Sequence, residues 1–109
     1  MKDEALFPLA IPAPADDVVT LTDDLLQQAI DLSRQSPRKR IILRLHKSDE
    51  NTLHRMFNVL QPGTYIRPHW HREPPKDESL VVLRGKIAIF ILSDDGDIQD
   101  VVTLAAGTT

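Results

Sequence analysis

Apolar and polar residues alternate with two different periods along this chain. Leu25, Leu26, Ala29 and Ile30 fall at helical spacing, which lines one face of an α-helix. Thr22 or Asp23 can cap that helix, and Asp23 and Asp24 suit the positive end of its dipole. Ser36-Pro37 stops it near Gln35, because the residue before a proline is pushed out of helical space. From Arg40 onward the pattern predicts strands. They cover 41–46, 52–60, 64–71, 79–84, 86–93 and 97–104. Ser48-Asp49-Glu50-Asn51 reads as a turn, and Pro62-Gly63 as a type II turn with glycine where φ is positive. Residues 72–77, with Pro74-Pro75, form a polar connection. Gly85 separates two strands expected to pair, and Asp94-Asp95-Gly96 is a further hairpin signal.

Six short strands after one helix predict a mainly β fold, an antiparallel barrel or sandwich with an N-terminal α-helix. Residues 1–36 would be an arm and helix, and 37–109 the β domain, in a single domain overall. The first 17 residues carry Pro8, Pro12 and Pro14 and read as an extended arm without a period of its own. Strand 86–92 is apolar on both parities, so both of its faces need cover.

Composition narrows the function classes. With 109 residues, 41% hydrophobic and 27% charged, the chain suits one globular domain rather than a disordered segment. Its formal net charge is −3, and its short basic run Arg38-Lys39-Arg40 reads as a solvated turn, so nucleic acid is not an expected partner. The longest apolar run, 87–92, is too short to span a bilayer, and the N-terminus lacks the apolar stretch of a signal peptide. A cytoplasmic location is expected. Without cysteine, any metal must rest on His, Asp or Glu.

The candidate chemistry lies between Gly63 and Gly85. His69 and His71 flank Trp70, and on a strand both imidazoles would share a face. Glu78, seven residues on, could return on the next strand to the same spot. Two imidazoles and a carboxylate hold a divalent transition metal, Fe, Zn, Mn or Ni, with positions left open. The bland reading is a surface pair of histidines in a loop beside an exposed glutamate. Tyr65 and Arg67 share the parity of His69 and His71 and are candidates for binding a small, acidic ligand. His46 and His54 read as structural or solvent-facing, and Trp70 as a packing residue.

The glycine frame resembles the first cupin motif: Gly63, five residues, His69-Trp70-His71, then Glu78, six residues and Gly85. The gap between His71 and Glu78 is longer than is usual there. The wider run is similar to the WbuC-type cupin metalloproteins, through Ser36-Pro37-Arg38-Lys39-Arg40 to Leu45-His46, through Pro62-Gly63-Thr64-Tyr65 to His71, and through Lys76-Asp77-Glu78 to Gly85. That resemblance implies a cupin-like barrel, a metal held by His69, His71 and Glu78, and a sugar or sugar-nucleotide ligand linked to polysaccharide biosynthesis. It also implies a second motif with another histidine, yet no histidine follows His71. Either the natural chain continues, or three protein ligands suffice, or His46 or His54 substitutes, though the resemblance points to neither as a ligand.

Three functions stay open: a metal-dependent enzyme acting on a small molecule, a non-catalytic metal or ligand-binding sensor, and a structural barrel without metal. A homodimer is expected, through a sheet edge or the outer face of strand 86–92, unless the N-terminal arm, 6–14, covers that surface.

Overall fold

The computed structural model describes residues 7–71 and 76–107. Of the expected connection at 72–77, residues 72–75 lie outside the described residues. The chain divides into two compact units, Met1–Ile66 and Arg67–Thr109. The fold is mainly β with one helix and two small sheets.

In the first unit, β1 (Ala10–Ile11) leads to helix α1 (Asp23–Gln35), then to β2 (Arg40–Arg44) and β3 (Met56–Leu60). Thr22 caps α1, its hydroxyl accepting from the Leu25 N–H at 3.2 Å. Ser36 closes it in extended backbone, its N–H donating to the Leu32 carbonyl. Among the described residues no helix is long and apolar enough to cross a membrane.

The sheet order is β1-β2-β3, with β1 parallel to β2 and β3 antiparallel to it. The parallel pairing follows from α1, which carries the chain back to the starting end. The arm, expected to be extended without a period of its own, adds a short strand: Ala10 and Ile11 pair with Ile42 and Leu43. Ala29, Ile41 and Leu43 form the buried centre, and Phe7, Ile11, Leu25, Leu32, Phe57 and Val59 pack around it. Alternation on β2 and β3 puts these residues on the helix side, leaving Ile42, Arg44, Met56 and Asn58 on the other.

Ser33 is buried on α1, and its hydroxyl donates to the Ile30 carbonyl and accepts from Gln61 Nε2. The turn Gln61–Thr64 closes with the Thr64 N–H on the Gln61 carbonyl, and Gly63 has φ 88. This is the type II geometry that Pro62-Gly63 predicts. Arg38-Lys39-Arg40 is less solvated than its charge suggests. Arg40 donates to the Tyr65 carbonyl at 3.0 Å, and the Arg38 carbonyl accepts from the Thr64 hydroxyl. Burial, and then repulsion from Arg38, push the Arg40 guanidinium below the usual arginine range. It stays charged at any ordinary pH.

The second unit holds a hairpin of β4 (Lys86–Leu92) and β5 (Ile98–Ala105). The Asp94-Asp95-Gly96 signal falls in its turn, and a bulge sits between Ile91 and Leu92. Two expected strands are absent: 64–71 and 79–84 have no strand structure. Pro68 removes a ladder donor in the middle of the first. The second is not paired across Gly85; β4 pairs with β5 instead. Among the described residues, therefore, no closed barrel forms, and the sheets remain separate.

Candidate metal centre

His69, His71 and Glu78 all belong to the second unit. His71 Nε2 meets Glu78 Oε1 directly. The His69 and His71 rings stand edge to face, their centroids 5.6 Å apart at an interplanar angle of 85°. The structure thus brings His71 to Glu78 and the His69 ring beside His71, without the strand expected to align them.

His69 is held by its own backbone. Its Nδ1 lies 2.9 Å from the Arg67 carbonyl oxygen. A carbonyl only accepts, so Nδ1 carries the proton and a neutral ring keeps its lone pair on Nε2. Metal-binding histidines are commonly oriented this way, through a carbonyl on the second nitrogen. Two imidazoles bound to one tetrahedral ion through bonds of about 2.1 Å have centroids roughly 5 Å apart. The observed 5.6 Å is close to that spacing. Two imidazoles and a carboxylate are donor types that a borderline divalent cation takes. As they stand, no three His, Asp or Glu side chains among the described residues are gathered into a group that could hold an ion. To hold a cation, His71 and Glu78 would have to give up their direct contact.

Arg67 thus contributes a carbonyl, a role no reading of side-chain types could find. The parity argument for Tyr65 and Arg67 loses its basis, because 64–71 is not a strand. Tyr65 lies in the first unit, where its carbonyl takes the Arg40 hydrogen bond and its side chain is exposed. Trp70, expected to pack, is 65% exposed.

His46 and His54 form a second pair, in the first unit, that the sequence did not signal. Their rings stack with centroids 4.3 Å apart and an interplanar angle of 7°. His46 Nδ1 donates to the Arg55 carbonyl, and His54 Nε2 to the Asp49 carbonyl. Parallel stacked rings direct their nitrogens outward along their planes, so this pair knits the 46–55 loop rather than converging on one ion.

The chain belongs to the DUF6016 family, a domain of unknown function, which it matches over residues 21–104. No curated protein and no solved structure matches it. The family match overturns the cupin resemblance: the family found is DUF6016, and no cupin family matches. The shared glycine and histidine spacing is a short pattern, and the barrel it implies does not form among the described residues. That resemblance was the sole source of the sugar or sugar-nucleotide ligand.

Proposed function

We propose that this protein binds one divalent transition metal through His69, His71 and Glu78, and presents its open positions to a small molecule. The observation that carries this reading is the ring arrangement: His69, pinned through Nδ1, lies edge-on to His71, which already contacts Glu78. Two neutral nitrogens and one carboxylate oxygen leave room for water or a ligand oxygen, which a bound cation would polarise as a Lewis acid. Fe, Zn, Mn and Ni are all compatible with these donors.

A non-catalytic binding or sensor module is the second reading. The exposure of His69, Trp70 and His71 favours it, because catalytic metals gain from a site that excludes water.

Elemental analysis by mass spectrometry, on protein purified without chelators or a metal-affinity tag, tests the metal. About one ion per chain is expected, and His71→Ala should lose most of it. Equal metal content in wild type and His71→Ala would overturn the assignment. Turnover of a small molecule by loaded protein, absent from His71→Ala, would favour the enzyme over the sensor.

A further inference from the structure

We propose that the first unit binds the anionic group of a small molecule, a carboxylate or a phosphate, in the cleft between its N-terminal arm and the end of β2. This site shares no residue with the candidate metal centre and does not depend on it.

The cleft has a volume of about 210 Å³. Pro12, Ala13 and Pro14 form its apolar wall, and Arg44, His46 and Lys47 supply its polar lining. A second, more open concavity of about 310 Å³ shares His46 and Lys47 and adds Arg55 and Asn51. The first is the size of a small anionic fragment, and the second gives room for the body that carries it.

The charges are one-sided. Arg44, Lys47 and Arg55 line the two concavities, and Asp17 is the one carboxylate among their lining residues. The chain as a whole is net negative, at −3. A local surplus of cations in an acidic protein attracts anions to that spot. Asp17 offsets little, because its side chain is fully exposed where it meets Lys47 Nζ at 3.5 Å.

The donors are also positioned in advance. Lys47 Nζ donates to the Ala15 carbonyl at 2.9 Å, fixing the ammonium and tying the arm to the loop after β2. The Lys47 and Ser48 N–H groups both donate to Asn51 Oδ1 at 2.9 Å, which fixes that loop. His46, 8% exposed, is held by the Arg55 carbonyl and the His54 ring. Pro12 and Pro14 stiffen the facing wall. Arg44 differs from these: among the described residues its guanidinium has no ion pair or hydrogen bond. A planar fork of donors at the mouth of a cationic cleft suits the two oxygens of a carboxylate or phosphate.

The test is an NMR titration of the full chain with inorganic phosphate and, separately, with acetate, at constant ionic strength set by chloride. Saturating shifts are expected at the amides of Ala13, Arg44, His46 and Lys47. Saturation by phosphate alone assigns a phosphate ester as the ligand class, saturation by acetate alone assigns a carboxylate, and saturation by both assigns an oxyanion site of broad reach. Arg44→Gln should weaken binding roughly tenfold or more, the loss expected for one charged hydrogen bond. Arg44→Lys should fall in between, and Arg34→Gln, on the exposed face of α1, should leave binding unchanged. Shifts that grow linearly with both anions would overturn the proposal. So would saturating shifts that Arg44→Gln and Arg44→Lys leave equally strong. Shifts confined to 67–107 would place anion binding in the other unit and would equally refute it.

Discussion

Lys39 and Gly63 both adopt positive φ, and the Lys39 side chain ends beside Gly63. Lys39 has φ 59 and Gly63 φ 88. A Cβ on Gly63 would lie 3.2 Å from Lys39 Nζ, the mobile end of a flexible chain, so crowding there is cheap to relieve. The cost of Gly63→Ala is therefore set by φ, at about 1 kcal/mol after the gain from a stiffer unfolded chain is subtracted. Lys39→Gly should do the reverse and stabilise by less than about 1 kcal/mol, since relief of left-handed strain exceeds the entropy that glycine loses. Urea titrations followed by circular dichroism at the helix band would check both, with midpoints moving in opposite directions and equal slopes. Proline before glycine makes the turn at 61–64 visible in the sequence. Nothing in a lysine announces a positive φ at 39. That angle comes from the Lys39 N–H bonding the Ser36 carbonyl while its own carbonyl accepts from Gln61. The candidate metal site shows the same division. The spacing of His69, His71 and Glu78 draws attention to them, whereas the Arg67 carbonyl that orients His69 belongs to the backbone and leaves no mark in the residue types.

Elements defined by local signals were legible, and elements that need distant partners were not. Helix α1 runs over Asp23–Gln35 as its cap, period and proline stop require. The β4–β5 hairpin closes at its Asp-Asp-Gly turn, because short loops bring their strands together at little entropic cost. Strands 64–71 and 79–84 had apolar or alternating residues but no adjacent partner to satisfy their backbone, and Pro68 weakened the first further. The short β1 was missed for the opposite reason: two residues in a proline-rich arm carry no period, and the parallel pairing with β2 exists only because α1 returns the chain. The first unit therefore rests on a small centre between α1 and its sheet. Leu43 is fully buried there, so Leu43→Ala should cost about 2–5 kcal/mol. That is a large part of the stability of any small domain. Thermal unfolding at the helix band should shift down by many degrees; a shift of only a degree or two would mean that this centre is not what holds α1 to the sheet.

At the scale of the whole molecule, the outstanding physical feature is apolar surface on the β4–β5 hairpin. Phe90 and Val101 are direct cross-strand neighbours, 56% and 47% exposed, and Ala88 and Thr103 pair beside them on the same face. Each strand of this hairpin has one ladder partner among the described residues, so each also presents an outer edge. A two-stranded sheet alone is marginal in water and gains most from covering such a face. We propose a second copy of the chain as its occupant. The patch made by Ala88, Phe90, Val101 and Thr103 holds no charge of its own, and Lys86, the next residue on that face, stands at its end. Packing the patch on itself with the ammonium left at the rim therefore buries no unpaired ion. A two-fold axis also lets one patch serve both partners. We therefore expect a dimer at micromolar concentration, with Phe90→Ser shifting it to monomer and leaving the helix signal of the first unit intact. Light scattering reads the mass directly. A wild-type monomer would refute the dimer, and a dimer that Phe90→Ser leaves unchanged would move the interface to another surface.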